Sequence, residues 1–221
     1  GIGMLARHRW FFAAACMALA GLFHPLQAIA VALVAWPWAV MQDRRWLHAA
    51  WLSIPLLGLS LTGVAPFAGL LHQSDPDWLY ILRDNTPQLF LTRWTAEDFT
   101  FLLVDVLVLG YARHALGGAF GTWCAAALAG LALGMGANLL LVDGLHLVLP
   151  AGLQLWRVHW LAHWLAMAAV GALLHRDMRA GEVSRALLLA FALALAWGQG
   201  GWLWLLPALL YPALPRILAG R

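Results

Sequence analysis

Lysine is absent from this chain, cysteine occurs only twice, and only ten residues are acidic. Charged residues fill 10% of the 221 positions and hydrophobic ones 63%, whereas a soluble domain carries roughly 25% charge. A soluble fold of this length could not hide so much apolar surface, which excludes that class. Cys16 and Cys124 sit in separate apolar runs; neither a disulfide framework nor a zinc site follows, and both read as buried thiols. No GxSxG, HExxH, P-loop or GxGxxG occurs, which removes serine-hydrolase, zincin, NTPase and dinucleotide-enzyme readings. The basic balance comes from thirteen arginines at the ends of apolar runs. The positive-inside rule accounts for them without a nucleic acid partner. No metal and no cofactor is expected.

Apolar runs cover residues 10–23, 26–41, 46–71, 99–111, 120–142, 153–174 and 186–206. An α-helix crosses the hydrocarbon core with about 20 such residues, and runs without alternation exclude a β-barrel. The expected fold is all-α: a polytopic transmembrane helical bundle of 6–8 membrane segments, one domain over 1–221, in contact with the lipid bilayer. The first two runs are short and separated by His24-Pro25, where proline breaks a helix; a short hairpin or broken helix is expected there. The tail 207–218 contains three prolines and reads as interfacial or re-entrant.

Arg7, Arg9, Arg44, Arg45, Arg113, Arg176, Arg179 and Arg185 would share the cytoplasmic side if residues 10–41 form a hairpin. The polar stretch 72–98 then forms an extracytoplasmic loop. Arg7-His-Arg9 before an apolar run imitates a signal peptide but reads better as the flank of a first membrane segment. Gly1-Ile-Gly precedes Met4, and the chain is read as a piece of something longer. Most of the fourteen tryptophans flank run ends, as interfacial belts do. Gly130-Leu-Ala-Leu-Gly134 is a GxxxG suited to close helix packing.

Three groups of residues could carry chemistry. Asp105 is the lone charge in the run 99–111, and an intramembrane acid is a functional hypothesis by default. Thr95 is a plausible N-cap ahead of Glu97 and Asp98, which places Asp98 and Asp105 on one helical face. The second group is Gln154, Arg157, His159 and His163. The histidines are i, i+4 neighbours, and Arg157 is flanked by tryptophans; a guanidinium there suits a phosphate or buried carboxylate. The third lies in the loop, where Arg83, Asp84, Arg93 and Trp94 mix charge, amide and ring. Sugar sites use such groups, with planar polar side chains for hydroxyls and rings for apolar sugar faces.

His24-Pro25-Leu26, then Thr86-Pro-Gln-Leu-Phe90 and Arg93-Trp94 before Glu97-Asp98, then Leu153-Gln-Leu-Trp-Arg157 resemble a group of bacterial multi-pass membrane proteins. These in turn are similar to the GT-C membrane glycosyltransferases. The resemblance implies transfer of a sugar from a polyprenyl-phosphate donor in cell-envelope glycan synthesis. Arg157 and Arg93 would hold the lipid phosphate, Asp98 and Asp105 would make polar contacts, and Trp94 and Trp78 would stack on sugar. Enzymes of that type carry a catalytic acid in the first external loop, and residues 10–41 contain no acid. The chain is therefore expected to be such an enzyme or the carboxy-terminal portion of one, unless the resemblance does not extend to catalysis, and no catalytic residue is transferred. Two other expectations stand beside it: a non-enzymatic scaffold or transporter subunit bound to other membrane subunits, and a haem cytochrome using His159 or His163 with His24 or His48.

Overall fold

The computed structural model describes residues 9–63, 67–198, 201–214 and 217. Every regular element among them is helical, and the nearest approach to a strand is one antiparallel bridge between Gln73 and Leu147. The α-helices are α1 (Trp10–Phe23), α2 (Pro25–Gln42), α3 (Ser53–Leu61), α4 (Pro76–Asn85), α5 (Ala96–Leu116), α6 (Gly118–Asn138), α7 (Val148–Leu153), α8 (Val158–Arg179), α9 (Val183–Trp197) and α10 (Leu205–Leu210). Four helical stretches are long and apolar enough to span a bilayer: Pro25–Gln42, Ala96–Leu116, Gly118–Gly144 and Val148–Arg179. Shorter apolar helices cover Trp10–Phe23, Val183–Trp197 and Gly201–Leu210. The protein is an all-α integral membrane protein.

Contacts gather the chain into two compact units, Gly1–Trp94 with Ala129–Leu161, and Thr95–Leu128 with Ala162–Arg221. In the first unit, α1 and α2 form a hairpin. His24 is the extended residue between them and Pro25 opens α2, where its missing N–H is no loss. The two helices run back alongside each other, so that Trp10 packs on Trp38 with ring centroids 5.6 Å apart. Gly130 on α6 permits a close approach to α2, since a Cβ there would lie 2.7 Å from Leu33 O. At Gly134 a Cβ would lie 2.5 Å from Val158 Cγ1. The GxxxG pair is thus used for packing inside this unit.

The apolar run 46–71 is not one helix. It is divided into a 3-10 stretch Arg44–Leu52, the helix α3, and a second 3-10 turn Phe67–Leu71. Pro55 cannot donate to the carbonyl of Trp51, which interrupts a continuous ladder. Gly63 then leaves α3 with a left-handed φ of 71°. The loop 72–98 is also more ordered than its polarity implies, holding α4 and two 3-10 turns, Pro87–Leu89 and Leu91–Arg93. Asp75 caps α4 by accepting from Asp77 N and Trp78 N.

In the second unit, α5 begins with a capping box: Thr95 Oγ1 accepts from Asp98 N while the Asp98 carboxylate accepts from Thr95 N. It ends at Gly117 and Gly118, both with positive φ, which permits the tight turn into α6. α9 and the stretch 201–210 pack together. Tyr111 Oη donates to Ala208 O at 2.8 Å, which holds α10 against α5.

Candidate functional site

The loop of the first unit is built around an apolar nucleus. Leu89, Phe90, Val142, Ala151 and Trp156 are buried together, with Leu79, Leu82, Leu91 and Trp94 packed on them. Polar groups from residues 138–148 then fasten the loop. Asn138 Nδ2 donates to Leu89 O at 2.9 Å. The Asp143 carboxylate accepts from Leu91 N, Thr92 N and Thr92 Oγ1, the last at 2.6 Å. Ser74 N donates to His146 O and Val148 N to His72 O. The segment carrying Asp143 is a π-helical turn, Leu139–Gly144, continuing α6; such turns often mark functional positions.

Upon this frame lies a cleft of about 410 Å3, lined by Pro76, Leu79, Tyr80, Arg83, Asp84 and Arg93. Three of the four loop residues that the sequence nominates as one group, Arg83, Asp84 and Arg93, thus line the same recess. Arg83 stands over the Phe90 ring, 5.5 Å from its centroid, and its Nη2 lies 3.0 Å from His146 Nε2. Arg93 and Asp84 are exposed. Two guanidiniums beside one carboxylate and a phenol make an electropositive recess open to an anionic, hydroxyl-bearing ligand. Trp78 stands on the same helix α4, 52% exposed.

Trp94 does not line that cleft. Its indole N–H donates to Gln88 O at 3.1 Å, and its ring packs on Trp156 and His159, with centroids 6.4 and 6.0 Å away. Arg157 sits 4.7 Å from the centroid of Trp160 and 5.6 Å from that of Trp156, a cation held on indole faces. Its Nε donates to Gln154 Oε1. Neither Gln154 nor Arg157 belongs to α8. Gln154 ends α7 in a left-handed conformation and Arg157 closes a 3-10 turn, so the apolar run 153–174 is not one helix and both residues precede the helix of His159 and His163.

In the second unit the acids have distinct roles. Asp98 is engaged in the capping box. Asp105 is buried, and its carboxylate lies 3.0 Å from His163 Nδ1. The shared helical face of Asp98 and Asp105 therefore leads from a cap to an acid–histidine pair. Glu97 lines a separate cavity of about 310 Å3 with Thr100, Trp197 and Trp202.

A further polar cluster of the second unit has no counterpart among the sequence candidates. Asp177, fully buried, accepts from Arg176 Nε at 2.9 Å and from Tyr211 Oη at 2.7 Å. Arg176 Nη1 reaches Ala115 O, and Arg185 stacks on Tyr211, 4.6 Å from the ring centroid. The C-terminal ends of α5 and α8, the start of α9 and the segment after α10 are thereby joined. Burial, and then the bond to Asp177, raise the Tyr211 phenol above its ordinary value. A sequence signal for the cluster exists only in part: Arg176-Asp177 and Arg185 read as helix-end charges, whereas the Tyr211 contact depends on the return of α10.

Among the described residues no group of three or more His, Cys, Asp or Glu is arranged to hold a metal ion. Compared with family models, with curated proteins and with solved structures, the chain matches none of them.

Proposed function

We propose that this integral membrane protein binds the phosphate-bearing headgroup of a lipid-linked sugar in the cleft of Arg83, Asp84 and Arg93, as a GT-C-like glycosyltransferase or a portion of one. The donor would be a polyprenyl-phosphate sugar, the setting a bacterial inner membrane, and the 72–98 loop its extracytoplasmic side. The observation that carries the reading is the convergence of Arg83 and Arg93 on one recess beside Asp84 and Tyr80. Guanidiniums bind phosphate bidentately and stabilise charge on a departing phosphate. Asp84 and Tyr80 supply an acceptor and a hydroxyl for sugar oxygens, and Trp78 on α4 supplies a ring. Arg157, stacked on Trp156 and Trp160, is a third cation of the same unit suited to an oxyanion.

Glycan profiling of a deletion strain complemented with Arg83→Ala, Arg93→Ala or Arg157→Ala tests this. Loss of a lipid-linked or surface glycan in the first two variants is the expected result. A product identical to wild type from the doubly substituted Arg83/Arg93 protein, present at normal abundance, overturns the assignment.

A second reading, a non-enzymatic scaffold or transporter subunit, is favoured by one observation. Of the acids that the sequence nominates, Asp98 serves a helix cap and Asp105 is paired with His163, both structural uses. That reading expects a defined membrane partner to co-purify and Asp105→Asn to be tolerated.

A further inference from the structure

Among the described residues, two that are not glycine adopt a left-handed backbone, His146 (φ 54°) and Gln154 (φ 50°). Each holds an arginine. Gln154 accepts from Arg157 Nε, and His146 Nε2 lies 3.0 Å from Arg83 Nη2. Strained positions of this kind persist only where the surroundings impose them, and they gather at functional sites.

The chemistry of the His146 contact assigns its atoms. A guanidinium offers donors only and stays charged, so Nε2 must be the acceptor and the ring proton resides on Nδ1. The backbone around the ring is secured on both sides. His146 O accepts from Ser74 N at 2.8 Å, and Leu147 N donates to Leu141 O at 2.9 Å. Asp143, three residues upstream, is occupied with Leu91 and Thr92. Arg83 is thus held by an imidazole acceptor on a tethered segment and by the face of Phe90.

We propose that His146 is a positioning residue for the anion site: it holds the Arg83 guanidinium at the cleft and thereby sets the affinity for the phosphate of the lipid-linked substrate. This rests on the reading of the cleft given under Proposed function. An arginine restricted beforehand loses less freedom on binding, so more of the contact energy appears as affinity. A neutral acceptor does this without cancelling the positive charge, as a carboxylate at the same place would.

Purified protein in phosphatidylcholine nanodiscs is titrated with farnesyl phosphate, with farnesol as the uncharged control. His146→Ala is expected to weaken farnesyl phosphate binding about tenfold, the scale of a hydrogen bond to a charged group, and to leave farnesol binding unchanged. His146→Gln is expected to restore it, because the amide oxygen can accept from Nη2 and Gln154 shows that this chain carries glutamine at a left-handed φ. Where His146→Ala lowers the melting temperature, the glutamine variant alone decides: recovery of folding without recovery of phosphate affinity overturns the proposal. Wild-type affinity in a folded His146→Ala protein overturns it equally. If Arg83→Ala and Arg93→Ala leave phosphate binding intact, the cleft reading itself fails and His146 with it. If those variants weaken binding and His146→Ala does not, only the positioning role falls.

Discussion

His163 Nδ1 on α8 lies 3.0 Å from Asp105 Oδ1 and 3.1 Å from Oδ2 on α5, and Asp105 is 2% exposed. An acid at that burial needs partners, since leaving it without them costs far more than the bond returns. Asp105→Ala is expected to lower stability by about 1–3 kcal/mol, read as a reduced melting temperature in detergent. Asp105→Asn keeps an oxygen that accepts from Nδ1–H and should cost clearly less. Equal losses in the two variants would mean that packing, not the hydrogen bond, is what the side chain supplies.

Asp177 offers the sharper test of how Tyr211, just after α10, is held. Tyr211→Phe removes one hydroxyl from a fully buried carboxylate and should cost about 1.5–3 kcal/mol, as for a hydrogen bond to a charged group. Limited proteolysis after α10 should accelerate in parallel. A Tyr211→Phe protein as stable and as protease-resistant as wild type would show that the Tyr211–Asp177 bond does not hold the segment after α10.

The same phenol predicts a pH dependence. Its folded-state value is raised above the ordinary 10.0, so the unfolded chain loses the proton first as pH rises. The stabilisation is complete below pH 10.0 and declines above it. Thermal melts across this alkaline range should show a loss for wild type that is smaller in Tyr211→Phe. Parallel curves would remove Tyr211 from the account.

Asp143→Ala should loosen the loop without unfolding the bundle. Three hydrogen bonds to Leu91 and Thr92 disappear, while the apolar nucleus around Phe90 and Trp156 remains. Hydrogen exchange is expected to rise at residues 91–93 and to stay unchanged in α8. Protection at Leu91 and Thr92 equal to wild type would show that the nucleus alone fixes the turn.

Gly130→Leu should disturb the packing of α6 on α2. Even a Cβ would come within 2.7 Å of Leu33 O, a backbone atom that cannot step aside. Overpacking of this kind costs about 1–3 kcal/mol, and here the hairpin of α1 and α2 would be displaced. Gly136→Leu, where a Cβ meets nothing within 4 Å, is the control and should behave as wild type. If both variants melt alike, close packing at Gly130 is not needed.

Composition and run length alone determined that this is a helical membrane protein, because about 20 apolar residues in succession have no stable place in water. Local chemistry was equally legible. Proline at position 25 marked the break between α1 and α2, and Thr95 with Asp98 marked the start of α5, since caps and breaks depend on residues a few positions apart. The division of 46–71 into three helical pieces was not legible, because hydropathy is blind to the backbone N–H that Pro55 lacks. The cleft was legible only in part. Arg83, Asp84 and Arg93 could be nominated from the loop, but His146 and Asp143 could not, being short polar residues in what reads as a mere connection. Tertiary structure alone brings residues 51 and 63 positions apart to hydrogen-bonding distance at Asp143–Thr92 and His146–Arg83. The physical reason is that an apolar run specifies that a helix is buried, not which polar group meets it; that is decided when the chain closes around Phe90 and Trp156, where the Leu89 carbonyl meets Asn138 Nδ2 and the Leu91 N–H meets Asp143.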